Sequence, residues 1–272
     1  MEQFLWLIPL GFMVGTFGTL IGAGGGFILV PVLLLLYPDK SPETITSISL
    51  AVVFFNSLSG SVAYAKMKRI DYKSGLIFAL ATLPGSILGA VTTSLIPRNI
   101  FNILFGVLLI AASVFLMLKP NNKNPSENKQ SKKHLSRSIT DIESITHTFS
   151  YNPILGIIIS VFVGYLSSLL GIGGGIIHVP VLVHALNFPV HIATATSHFV
   201  LAGMSLSGTI VHILSGALSK GVLQTIGLAI GVLFGAQVGA RLSKRMGGSF
   251  IIRGLAIALG IVGVRILLIE LL

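Results

Sequence analysis

Two glycine triplets offer backbone chemistry. The first lies in Gly22-Ala23-Gly24-Gly25-Gly26-Phe27-Ile28-Leu29-Val30-Pro31-Val32-Leu33, the second in Gly171-Ile172-Gly173-Gly174-Gly175-Ile176-Ile177-His178-Val179-Pro180-Val181-Leu182. Consecutive glycines are poor helix formers. Inside apolar runs they break a helix where no water can satisfy the opened backbone. Such breaks are tolerated only where protein buries them or an aqueous cavity meets them. A helix that restarts after a break presents unsatisfied N–H groups and a partial positive charge, which suit an anion. Gly24, Gly25 and Gly26, with Gly173, Gly174 and Gly175, are therefore candidate substrate-binding residues. A nucleotide loop is excluded, because Phe27 and Ile176 stand where GxGxxG needs its last glycine and no Gly-Lys-Ser/Thr follows. Close helix packing is the bland alternative, but that usually spaces small residues four apart.

Side-chain partners come from the apolar segment after each triplet. Ser49, Asn56 and Ser59 fall at i, i+7 and i+10, roughly on one helix face. Ser197, Met204 and Ser207 answer them, with Thr196 and His198 adding polarity. Gln237 is a polar exception in a later glycine-rich segment. Each hydroxyl also has a structural reading, since Ser and Thr in membrane helices often bond the preceding turn's carbonyl. His198 is the candidate proton-sensitive or substrate-contacting group, against the plainer role of a packing histidine. Ser197 beside His198 does not make a hydrolase: neighbours on a helix point apart, and no GxSxG or HExxH accompanies them. The sequence therefore reads as a non-enzyme.

No Asp or Glu lies deep in an apolar segment, and the chain has no cysteine. Cation sites and carboxylate proton relays usually need a carboxylate there, so the pattern favours an anion. No metal site and no cofactor are expected.

The surrounding elements must then be membrane helices. The chain is 53% hydrophobic and only 10% charged, where soluble domains carry about 25% charged residues. The net charge of +10 sits in short loops and one polar segment, as orientation in a membrane requires, so nucleic acid is not an expected partner. The start, Met1-Glu2-Gln3-Phe4, lacks a positive region, and the first run reads as a retained helix.

Four apolar segments (Phe4 to Tyr37, Thr44 to Ala65, Ser74 to Ile96, Ile100 to Leu118) are answered by four more (Pro153 to Leu186, Ile192 to Leu214, Gly221 to Ala240, Ile251 to Ile269). Leu58-Ser59-Gly60 answers Leu206-Ser207-Gly208, and Gly85 and Gly89 answer Gly231 and Gly235. This is a duplicated unit. Residues 1–118 form the first repeat, 119–150 a flexible polar linker, and 151–272 the second repeat. Gly227, Gly231, Gly235 and Gly239, spaced by four, form a packing face that lets the third segment lie against a broken helix.

The first segment of each half would reach roughly 50 Å if continuous, past a core of about 30 Å. It is either one bent span or a re-entrant hairpin. Basic loops decide: Lys66, Lys68, Arg69 and Lys73 follow the second segment of one half, whereas Arg241, Lys244 and Arg245 follow the third segment of the other. Both clusters face inside if the segment beginning at Pro153 is a hairpin or crosses an even number of times, whereas a single crossing would put the second cluster outside; the rule thus favours a hairpin-plus-three-span unit in each half. The fold class expected is an all-α polytopic membrane protein of two four-segment halves, as inverted repeats with broken or re-entrant first helices. Eight simple spans with parallel halves are the alternative.

The duplicated triplets followed by Val-Pro-Val, the Thr-Ser-containing second segments and the glycine-rich third segments together resemble the TauE/SafE family of anion exporters. The resemblance covers both halves and fails in the linker. It implies a multi-pass protein of the cytoplasmic membrane that moves sulfite, sulfoacetate or related organosulfonates, by alternating access. A passive anion channel, or a carrier of another small organic anion, is the alternative. The expected partners are the anion and the bilayer, and a homodimer stays open.

Overall fold

The computed structural model describes residues 5–118, 134–244 and 248–271. The expected linker core 119–133 and Arg245 lie outside the described residues. Ten α-helices are described: α1 Leu7–Ile21, α2 Gly26–Leu36, α3 Pro42–Lys66, α4 Tyr72–Thr93, α5 Arg98–Leu118, α6 Pro153–Leu170, α7 Gly175–His184, α8 Val190–Leu214, α9 Val222–Ser243 and α10 Gly248–Leu271. Among the described residues six helical stretches are long and apolar enough to cross a membrane. The protein is a predominantly helical, multi-pass membrane protein.

Local signals set the helix ends. Ser41 caps α3 by accepting the Thr44 N–H at 3.3 Å, with Pro42 in the first turn. Asn152 does the same for α6, accepting from Ile154 at 3.0 Å ahead of Pro153. The last turns of α1 and α6 end on Gly22 and Gly171, at φ 83° and 69°. These are left-handed caps that a glycine adopts without penalty.

The halves exchange partners. The third long helix of each half packs on the first helix of the other, backbone to backbone. A methyl group on Gly231 would meet the Phe12 nitrogen at 2.6 Å, and one on Gly85 would meet the Tyr165 nitrogen at 2.8 Å. Gly11 and Gly15 answer from α1, and Gly156 and Gly164 from α6. The glycine face expected from the sequence thus packs α9 on α1 and α4 on α6. The central helices α3 and α8 cross in opposite chain sense: Gly60 faces His198, while Gly208 faces Leu50.

The expected linker differs from its reading at one end. Leu135–Thr140 and Thr146–Tyr151 pair as an antiparallel hairpin, β1 and β2. This segment has too little apolar surface to fold alone, and it is ordered by docking. Phe149 and Tyr151 join a buried cluster with Phe78, Leu182 and Phe188. Ile142 N–H donates to the Met67 carbonyl at 3.1 Å, and Arg69 lies 3.6 Å from Asp141. Arg137 lies 3.7 Å from Asp71. Burial alone would raise the Asp141 carboxyl. The N–H groups of Ile145 and Glu143 and the Arg69 guanidinium outweigh it and hold that carboxyl below its ordinary range.

Candidate functional site

The two glycine breaks meet. A methyl group on Gly26 would lie 2.7 Å from the carbonyl oxygens of Gly171 and Ile172, and one on Gly175 would lie 2.6 Å from Ala23 Cα. Hence the start of each short helix rests on the break of the other half. Gly24, Gly25, Gly173 and Gly174 have φ between 77° and 85°, where a side chain is strained. Residues 18–27 and 167–176 are all buried, so protein packs around both breaks.

Both short helices begin with N–H groups that lack acceptors. Ile28 and Leu29 donate to the Gly25 carbonyl, and Ile177 and His178 to the Gly174 carbonyl. Among the described residues, the N–H groups of Gly25, Gly26 and Phe27 donate to no protein group, and neither do those of Gly174, Gly175 and Ile176. These are the orphan donors of two helix starts, each lying against the other half's break in a buried interior.

The predicted side chains divide into two sets. Ser49 Oγ donates to the Gly171 carbonyl at 2.6 Å, and Ser197 Oγ donates to the Gly22 carbonyl at 3.3 Å. This pseudo-symmetric pair ties each central helix to the opposite break. Asn56 Nδ2 donates to the Gly24 carbonyl at 3.0 Å. His198 Nε2 lies 3.2 Å from Thr19 Oγ1. These four residues surround the breaks.

The others do not. Gln237 Nε2 donates to the Ser59 carbonyl at 2.7 Å, and Ser59 Oγ donates to the Leu233 carbonyl at 2.7 Å, binding α3 to α9. Ser207 pairs with Ser86 between α8 and α4. Thr196 Oγ1 accepts the Asp71 N–H at 3.0 Å, beside the α3–α4 loop. Each is engaged in holding one helix or loop against another.

Sequence reasoning missed Thr19, Tyr64, Ser167 and Ser168. Thr19 donates to Asn56 Oδ1 at 3.1 Å, and Tyr64 donates to the Thr19 carbonyl at 2.7 Å. Thr19 stands one turn before Gly22 and Ser168 one turn before Gly171. That shared spacing from the break was the available signal. The described carboxylates Asp39, Glu43, Asp71, Asp141 and Glu143 lie in loops, the hairpin turn or helix starts, and Glu270 is near the end of α10; none is at the breaks. Among the described residues no cluster of His, Cys, Asp and Glu is arranged to hold a metal.

Duplicated spans enclosing paired helix breaks define a membrane transporter. The particular kind follows from its relatives. The family described as "Sulfite exporter TauE/SafE" matches residues 7–266, and the chain belongs to that family. It is similar to "Probable membrane transporter protein YunE" of Bacillus subtilis, with 37% identity over 97% of each chain. It is 30% identical to "Probable membrane transporter protein MJ0441" of Methanocaldococcus jannaschii, over 98% of this chain and 97% of that one. "Sulfite exporter TauE/SafE family protein 3" of Arabidopsis thaliana is 29% identical over 53% of this chain and 33% of its own length. No solved structure matches.

Proposed function

We propose that the protein exports small sulfur-containing oxyanions, sulfite or organosulfonates such as sulfoacetate, across the cytoplasmic membrane by alternating access. The observation that carries this is the meeting of two helix starts whose amides have no protein partner. The absence of a described carboxylate at the breaks agrees, since a carboxylate would repel the substrate. The family's description and the Arabidopsis relative's name supply the sulfur. Outward movement follows an inside-negative potential, worth about 2.3 kcal/mol per charge per 100 mV. Counterflow of labelled sulfite and sulfoacetate into liposomes holding the purified protein is the test. Saturable exchange is expected. Flux that never saturates would mean a channel, and absence of flux for every anion would end the reading.

The halves are read as inverted repeats with re-entrant first segments. Three contacts support this. Leu186, just past α7, lies against Gly156 near the start of α6. Lys40, past α2, donates to the Lys220 carbonyl just ahead of α9, whose Gly231 faces Ile8 near the start of α1. The equivalent helices α3 and α8 cross in opposite sense. On this reading each first segment returns to the side it left. Met67 and Ala240 share one buried cluster, which brings the two basic loops to one face, cytoplasmic by the positive-inside rule. The chain has no cysteine, so single substitutions report topology cleanly. Lys68→Cys and Lys244→Cys should react with an impermeant maleimide only in inside-out vesicles, and Asp39→Cys and Gly216→Cys only in right-side-out cells. Labelling of Lys68→Cys and Lys244→Cys from opposite sides would exclude the inverted arrangement.

A further inference from the structure

The two breaks match in backbone but not in hydrogen bonding. At the first, Gly24 N–H donates to the Gly18 carbonyl at 3.1 Å, and the Gly24 carbonyl accepts from Asn56. Asn56 is fixed by Thr19, and Thr19 by His198 and Tyr64. Of these four side chains only the His198 ring has an atom left open, Nδ1. At the second break the repeat puts Ser168 for Thr19, Met204 for Asn56, His212 for Tyr64 and Leu50 for His198. That circuit is open. Ser168 Oγ and both ring nitrogens of His212 have no partner, although both residues are 0% exposed. Gly208, one turn before His212, lies against Ser168, with its methyl position 3.2 Å from Ser168 Oγ. Gly173 N–H, unlike Gly24 N–H, has no acceptor among the described residues.

A second difference lies one turn earlier. Gly18 occupies the first half because any side chain would strike the next helix start, with Gly25 Cα 2.5 Å from its methyl position. The second half has Ser167 there. Its hydroxyl is fully buried, has no partner, and lies 2.9 Å from the methyl position of Gly174, the residue that caps α7. An unpaired hydroxyl is thus aimed at a helix start whose amides are also unpaired. Buried polar groups are nearly always hydrogen-bonded. A hydroxyl and backbone amides left open together at one positive helix end are the complement of an oxyanion. At the first break the unpaired hydroxyl is Ser57, on α3, with its Oγ 3.5 Å from the Gly24 methyl position.

We infer that the oxyanion is bound off the symmetry axis, at the start of α7, with the Ser167 hydroxyl donating to a substrate oxygen alongside the Gly174 and Gly175 amides. The Thr19–Asn56–His198–Tyr64 circuit is a structural lock on the other half. This rests on the transport of sulfur oxyanions proposed above, and it assigns that site to one half of the molecule.

The test compares KM and Vmax for sulfite counterflow in liposomes, with thermal melting of each purified variant. Ser167→Gly, which copies the first half, and Ser167→Ala should raise KM about ten-fold or more, the loss expected for one hydrogen bond to a charged group, with melting near wild type. Ser167→Thr should keep KM near wild type. Thr19→Val should lower the melting temperature and move KM less than Ser167→Ala does. Unchanged KM in both Ser167→Gly and Ser167→Ala, with transport intact, would overturn the off-axis site and leave the transport reading standing. A KM shift in Thr19→Val as large as in Ser167→Ala would also overturn it. A wild-type protein that moves no sulfite would overturn both.

Discussion

Valine at Gly174 or Gly25 is expected to abolish sulfite transport while leaving the protein folded in the membrane. Both residues sit at positive φ, 78° and 85°, a region that β-branched side chains scarcely enter. The added atoms would also meet Ser167 Oγ at 2.9 Å in one case and Val14 Cγ1 at 2.7 Å in the other. Backbone strain of this kind costs on the order of 1–3 kcal/mol, less than a typical folding stability of about 5–15 kcal/mol. The helix start therefore turns away before the protein unfolds, and the free amides lose their aim. Transport should fall roughly a hundred-fold or more, equivalent to about 2.7 kcal/mol in the barrier. Counterflow in liposomes, beside size-exclusion profiles of the same preparations, reads both quantities. Wild-type rates in both variants would refute the role given to the breaks.

Leucine at Gly231 or Gly85 should fail at an earlier step, giving no monodisperse protein at all. Here the obstacle is backbone. A first side-chain carbon at Gly231 would strike the carbonyl of Ile8 and lie 2.6 Å from the Phe12 nitrogen. At Gly85 it would strike the Val161 carbonyl and lie 2.8 Å from the Tyr165 nitrogen. A neighbouring side chain can swing aside, but a helix backbone cannot, so α9 must separate from α1, or α4 from α6. Overpacking costs about 1–3 kcal/mol where side chains can adjust, and parting two helices forfeits their whole contact. Yield and aggregation after detergent extraction measure this directly. Gly216, by contrast, has nothing within 4 Å of its methyl position. Gly216→Ala adds only the strain of its positive φ, and the variant should extract normally.

The glycine pattern made most of this architecture legible in the sequence. Spacing by four at Gly227 to Gly239 announced a close helix contact, and consecutive triplets announced breaks. What stayed hidden was pairing across the halves. Ser59 and Gln237 looked like pathway residues, because a polar side chain in an apolar helix does not declare whether it faces substrate or another helix. They bond each other. Thr196 looked like added polarity beside Ser197 and instead holds the loop at Asp71. The hairpin was invisible because each strand has only six residues. Its order comes from Phe78, Leu182 and Phe188, far away in the chain. Thr19 was missed because a lone threonine in an apolar helix most often bonds its own preceding turn.

The exchange of first and third helices between the halves ties their ancestries together. The duplicated copies are free to diverge along the hydroxyl positions of the breaks, and they have done so at Gly18 and Ser167. They are not free where α9 lies on α1 or α4 on α6, since bulk gained in one copy must be surrendered in the other. A gene doubled in this way cannot shed either half, because each supplies the wall that its twin lacks.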